Sequence, residues 1–422
     1  MTVSRATVDP IRIEDLCNPQ QTEFQRAAIE YAKSRQLVFD RDQLMTAAVQ
    51  RTGCSDFGAD DFVARLDAMI AAVELDVGLN ELGRMNVHDR LTRLLCQRLL
   101  FTDLLLRHPE IMDIELEPPV IVVGLPRSGT THLVNLIASD TRFRALPSWE
   151  SLEPIPSPGR GPGIDGVDRR YLRSMGSYEA QVAMVPLLRV MHDGHPQLIE
   201  EEIALQDLDF SSYTLEWLAR VPTWRDHYLA LDQRPHYSYV RKVLQALTWL
   251  RGPRRWVLKS PQHLEQIGPL VQIFPDATFA VTHRDPVSVI QSAITMLAYG
   301  DRVRRHSIEP DILSTYWINR VEQLMRAFVR DSHLLPHDRL LDINFNTFMA
   351  DDLATVGEIY DRAGLAFTDR ARGELAAFMA DHPRGKFGQV SYDLQGDFGL
   401  EPDVVRKRFE FYFDRFPVDI ER

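Results

Sequence analysis

The chain is poor in cysteine and lacks any long apolar run. Its 422 residues include three cysteines, Cys17, Cys54 and Cys96. Their odd count and their spacing argue against a disulfide framework and a structural metal site, leaving three ordinary reduced thiols. The longest apolar stretches, such as Val120 to Val123 and Leu104 to Leu106, fall far short of the ~20 residues needed to span a bilayer. The opening segment MTVSRATVDPIRIEDL carries acids and prolines and no signal-peptide core, so the expected location is cytoplasmic. Basic charge is also short. Lys and Arg number 48 against 60 Asp and Glu, a net charge of −12, which disfavours a general surface for nucleic acid. Any anion site must be a local concentration of cations. Repeats and low-complexity tracts are missing too. What is present, 45% hydrophobic and 26% charged residues, suits a folded protein with a substantial core.

The first 117 residues read as helical on hydrophobic spacing. Leu91, Leu94, Leu95, Leu99, Phe101, Leu105 and Leu106 form a wide apolar stripe that His108-Pro109 ends. After Pro118-Pro119 the pattern changes. Val120 to Val123 is a short β-branched run suited to a buried parallel strand. The turn GLPRSGTT (124–131) follows, then a helical stretch from His132 to Ser139. A second unit runs from strand Trp256–Lys259 through Ser260-Pro261 to a helix over His263–Phe274. A third joins strand Thr278–Thr282 through His283-Arg-Asp-Pro286 to a helix reaching Leu297. A fourth strand is expected at Arg339–Ile343. Strands alternating with helices predict an α/β fold, a P-loop-type parallel sheet flanked by helices, over 118–422. Residues 145–253 interrupt it. Ser151 to Gly166 is rich in Pro and Gly and reads as a loop or lid. Tyr213, Trp217, Trp224, Tyr228, Tyr237, Tyr239 and Trp249 then mark a helical insertion expected to recognise an acceptor, although ordinary helix packing also explains such residues.

The turn between the first strand and helix aims successive backbone N–H groups at a helix start, where the dipole also favours an anion. Gly124 and Gly129 permit close approach, and Ser128, Thr130 and Thr131 add hydroxyls. The stretch nearly satisfies GxxxxGK[ST], but Thr130 stands where a nucleotide triphosphate loop has lysine. Its cation lies inside the loop, at Arg127. Downstream, Asp285 can cap a helix starting at Pro286. Arg284 then sits at a strand end and Ser292 two turns into the helix, where a guanidinium fork and a hydroxyl could hold a phosphate.

These motifs resemble those of the sulfotransferases that use 3′-phosphoadenosine 5′-phosphosulfate. GLPRSGTT is similar to their 5′-phosphosulfate loop, and THRDPVSVIQS (282–292) to their 3′-phosphate motif. The likeness is nearest the tyrosylprotein branch and bacterial relatives, running continuously over roughly 118–300. A bacterial subgroup also resembles the C-terminal stretches Arg384 to Gly388 and Asp397 to Leu400. The resemblance implies sulfuryl transfer to the hydroxyl of a small-molecule, lipid or glycan acceptor, with no metal. It implies a donor site of Arg127, Ser128, Gly129, Thr130, Thr131, His132, Arg284 and Ser292. Arg384 and Lys386 would close over the 3′-phosphate, although a solvated basic loop fits them as well.

Sulfuryl transfer needs fixed cations where charge accumulates on the leaving oxygen. Arg127 and Lys259 are the candidates, although a lysine closing an apolar strand can also snorkel. A base must accept the acceptor's proton. Glu150, about two residues displaced from the branch's glutamate, is the first candidate. His263, His195 and the run Glu200-Glu201-Glu202 are rivals. Read as the start of a helix, that run can turn at most two acids inward. Two other readings stand beside this one: a P-loop kinase or NTPase, and a nucleotide-binding protein without turnover. The missing loop lysine, and strand ends bearing Lys259 and Arg284 rather than a magnesium-holding acid, weigh against the first.

Overall fold

The structure is a computed structural model that describes residues 9–76, 78–159, 166–416 and 418–421. The first eight residues of the opening segment, and residues 160–165 of the Pro/Gly-rich loop, lie outside the described residues.

Five parallel strands form one sheet in the order β2-β3-β1-β4-β5: β1 (Val120–Val123), β2 (Phe143–Arg144), β3 (Arg255–Lys259), β4 (Thr278–His283) and β5 (Leu340–Asn344). Four of them stand where the alternating pattern predicts strands. β2 does not: at two residues it is too short to carry a period. The chain builds β2 and β3 to one side of β1, then crosses to lay β4 and β5 on the other. That reversal leaves a crevice beyond the carboxyl end of β1, where open α/β sheets bind ligands.

Alternation along the strands supplies both faces. Ile121 and Val123 share a core with Trp256, Leu258, Phe279 and Val281 under the helices Arg234–Arg251, Pro286–Arg304 and Pro310–Asp331. Val120, Val122, Val257 and Ala280 pack on the other face, against the helix Thr130–Ala138 and three later helices. All four side chains of β1 are fully buried, as a central parallel strand requires.

Before the sheet come α1 (Glu23–Lys33), α2 (Arg41–Thr52), α3 (Phe62–Leu75) and α4 (Glu81–Arg107). They share a core with the insertion: Leu44, Phe62, Leu66 and Leu95 pack with Leu208, Phe210, Trp224 and Tyr228. Ions reinforce the contact, because Asp209 of the insertion accepts from Arg65 and Arg98 at 2.8 Å each and from His236 at 2.6 Å. Tyr213, Trp224, Tyr228 and Tyr237 are buried, so most of the insertion's bulk in aromatics serves packing. The helix expected over His263–Phe274 is broken. A 3-10 turn, Pro261–Glu265, precedes the helix Ile267–Ile273, since the Ser260 hydroxyl caps the turn through the Gln262 N–H and Gln266 leaves helical geometry.

Candidate active site

The loop 124–131 leaves β1 and enters α5 (Thr130–Ala138). Two of its residues hold left-handed backbone, Arg127 at φ +69° and Gly129 at φ +87°. Such geometry is uncommon for a non-glycine residue and is kept where surroundings enforce it. Gly124 is required by space: a Cβ there would lie 2.1 Å from Thr282 Oγ1. The Ser128 hydroxyl is used internally. It donates to the Leu125 carbonyl at 2.6 Å and pairs with Thr282 Oγ1 at 2.7 Å, which pins the loop to β4.

The register sets Lys259 beside Val122, at the loop's foot. Lys259 is 1% exposed, and its Nζ donates to Glu201 Oε1 at 2.7 Å and to Thr131 Oγ1 at 3.3 Å. Across β1, Arg127 Nε donates to Ser292 Oγ at 3.0 Å. Arg284 Nη1 donates to the Arg127 carbonyl at 2.6 Å. As the sequence suggests, Asp285 caps the following helix, accepting from the Val287 N–H at 2.9 Å. A chain of direct contacts therefore links Arg284, Arg127 and Ser292, while Lys259 joins the same loop through Thr131.

The acidic run leads into a helix without lying in it. The helix begins at Ile203 with Glu202 as its cap, so Glu200 and Glu201 precede the helical spacing and all three carboxylates find partners. Glu200 faces His192 at 3.3 Å. Glu201 takes Lys259. Glu202 accepts the Lys259 backbone N–H at 2.6 Å and binds His263 Nε2. Burial pushes Glu200 and Glu202 up, but His192 with Lys259 and a backbone N–H for the first, and His263 with backbone N–H groups for the second, together lower both below the ordinary carboxylate value.

Residues 118–369, well over half of the chain, match the family model described as the sulfotransferase family. The chain belongs to the sulfotransferase family. Omega-hydroxy-beta-dihydromenaquinone-9 sulfotransferase Stf3 of Mycobacterium tuberculosis is 24% identical over 319 residues, 72% of this chain and 76% of that protein. Among solved structures, sulfotransferase STF1 of Mycobacterium tuberculosis superposes with a TM-score of 0.76 at 26% identity, covering 88% of this chain and 98% of that one. Sulfotransferase STF9 of Mycobacterium avium shares the fold at a TM-score of 0.80 and 24% identity, over 92% and 99% of the two chains.

Other sequence candidates in this sulfotransferase fall in five places. His132 and Arg384 meet at the start of α5: Arg384 Nη2 lies 3.4 Å from His132 Nε2 and also pairs with Asp352, while Nη1 donates to the Met349 carbonyl. Lys386 donates to the Asp381 carbonyl at 3.2 Å and shares no contact with that pair. Glu150 is not brought to Lys259. It is 1% exposed and held by Arg144 at 3.2 Å and Arg251 at 2.9 Å, beside the start of β3 rather than its end. The difference has a physical reason: Glu150 sits in the short helix Ser148–Leu152, which follows edge strand β2 and lies over Arg144. His195 packs edge-on to Tyr178 and accepts from the Gln197 N–H at 3.2 Å. His263 is buried between Glu202 and Tyr237, whose hydroxyl is 2.8 Å from Nδ1.

Sequence reasoning missed Glu421, which grips Arg284, and Phe345, whose ring lies 3.9 Å from the same guanidinium. Glu421 is 137 positions from its partner, and no periodicity or motif spans that distance.

Proposed function

We propose that this enzyme takes a sulfuryl group from 3′-phosphoadenosine 5′-phosphosulfate and delivers it, in line, to a hydroxyl of a small-molecule or lipid acceptor. The observation that carries this reading is the gathering of Arg127, Lys259 and Arg284 around one loop of an acidic chain. A donor of this kind supplies an activated sulfuryl group on a phosphate leaving group. Its 5′ end suits the loop amides with Thr130 and Thr131, its 3′-phosphate suits Arg284 and Ser292, and His132 with Arg384 suits the nucleoside side. Ser128 and Gly129 shape the loop rather than reach outward. The N–H groups of Arg127 beyond the one given to Ser292 fit an anion at this place.

Lys259 and Arg127 stabilise charge growing on the leaving oxygen. Glu201 is the carboxylate that touches Lys259, so it replaces Glu150 as the acceptor of the hydroxyl proton. The balance is simple: the acceptor oxygen bonds sulfur, the sulfur–phosphate oxygen bond breaks, and the proton passes to Glu201. His263 supports Glu202 from its buried position and stays out of the proton's route. The insertion 145–253 supplies acceptor recognition, since Glu201 belongs to it. A lipid alcohol is favoured because the relative Stf3 is named for a hydroxylated menaquinone.

The test is incubation of the purified enzyme with sulfur-35 donor and a lipid extract, followed by identification of the labelled product. Label appearing in a hydroxylated lipid is expected; no transfer to any extract, with magnesium-dependent ATP turnover instead, would overturn the reading. Glu201→Gln should lower kcat about a hundredfold while donor binding is retained.

A further inference from the structure

Arg284 is fixed on three sides. Glu421 accepts from Nε at 2.8 Å and from Nη2 at 2.7 Å. The Arg127 carbonyl accepts from Nη1 at 2.6 Å, and the Phe345 ring covers one face at 3.9 Å. A guanidinium has five N–H groups; three are committed here, which leaves one on Nη1 and one on Nη2 for a ligand. Glu421 is itself anchored through its backbone. Its N–H donates to Asp285 Oδ2 at 3.1 Å, and its carbonyl accepts from Arg406 Nη2 at 3.4 Å. Arg406 also binds Asp285. The carboxylate is therefore delivered to Arg284 by a seated segment, 418–421, and is not a chance surface pair.

We infer that Glu421 is a positioning residue: it orients the Arg284 fork toward the donor and thereby sets how strongly the enzyme depends on a phosphate at the nucleoside 3′ position. The inference rests on the donor reading given above. An arginine left free must surrender rotamer entropy when it meets a phosphate, and one already held surrenders less. Glu421 touches no other group of the site. Its effect should appear in discrimination at the 3′ position and not in the chemical step.

Titration calorimetry with 3′,5′-bisphosphoadenosine and with adenosine 5′-monophosphate separates the cases. Glu421→Ala should weaken the bisphosphate about tenfold, the scale of losing a supporting partner, and leave the monophosphate unchanged. Glu421→Gln, which keeps an acceptor oxygen without the charge, should fall between, and kcat at saturating donor should hold for both. Unchanged bisphosphate affinity overturns the inference. Tighter binding also overturns it, because the carboxylate would then be a competitor for Arg284, and equal weakening of both nucleotides would reduce Glu421 to a purely structural role. Arg284→Ala is measured alongside. If it leaves the bisphosphate affinity intact, the donor reading has failed, whereas a loss there without one in the Glu421 variants sinks the positioning role alone.

Discussion

Arg320, deep among the helices, and Arg127, at the mouth of the sheet, use the same side chain in opposite ways. Arg320 is wholly buried, and its Nε, Nη1 and Nη2 all donate to carboxylates, Glu216 at 2.9 Å and Glu265 at 2.7 and 2.6 Å. Burial pushes Glu216 up, with Arg320 only partly offsetting it. The two acids and one base tie the insertion, the turn after β3 and the helix Pro310–Asp331 together. Arg127 gives one N–H to Ser292 and holds a strained backbone. Where the chain supplies carboxylate partners for every arm of a buried guanidinium, that charge is architecture; where it leaves donors over at the start of a helix, they suit the anion of the proposed donor. Net charge says nothing of this. The partner count does.

The comparison can be broken most forcefully on its architectural side. Arg320→Met leaves two buried carboxylates without their cation and should cost about 3–5 kcal/mol in urea unfolding. A loss under about 1 kcal/mol would mean the triad is dispensable. On the site's side, Lys259→Ala should reduce kcat about 10²–10³-fold, with a much smaller change in the unfolding midpoint; an intact rate would show that Lys259 is one more packed charge.

Asp209 sharpens the contrast through pH. Burial pushes its carboxyl up, yet His236, Arg65 and Arg98 together hold it below the ordinary value. A depressed folded pKa means stability that is present above the unfolded pKa, near 4, and lost as pH falls through the folded one. The stability gap between the native protein and Asp209→Asn should thus be widest near neutrality and shrink on acidification below pH ~4. A pH-independent gap would mean that shape rather than charge holds the contact. The smallest effect is expected at Glu150. If its pairing with Arg144 and Arg251 is architectural, Glu150→Gln should leave kcat within about twofold of the native rate. A large rate loss there would return the base role to it and remove it from Glu201.

Much of the fold was legible because its signals are local. A β-branched tetrad, a glycine turn and an apolar helix follow one another between Val120 and Ala138, and the same order recurs around Lys259 and Arg284. Strand ends named by pattern alone carry Lys259 and Arg284 to one edge, since parallel strands place like ends together. The acidic run was misread for the opposite reason. Helical spacing would turn at most two of Glu200 to Glu202 inward, whereas Glu200 pairs with His192, Glu201 with Lys259 and Glu202, at the helix cap, with His263. Glu150 shows the same limit: its place in sequence fits a base, but a two-residue edge strand turns it toward Arg144.

The sequence alone determined that a strand, a loop with an internal arginine and a helix would follow one another in an acidic chain, because strand, turn and helix signals act over a few neighbouring residues. Tertiary structure decided which charges serve that site and which serve the scaffold. Glu201 reaches Lys259 across 58 positions and Glu421 reaches Arg284 across 137; contacts of that range depend on how distant segments pack, and no local pattern encodes them.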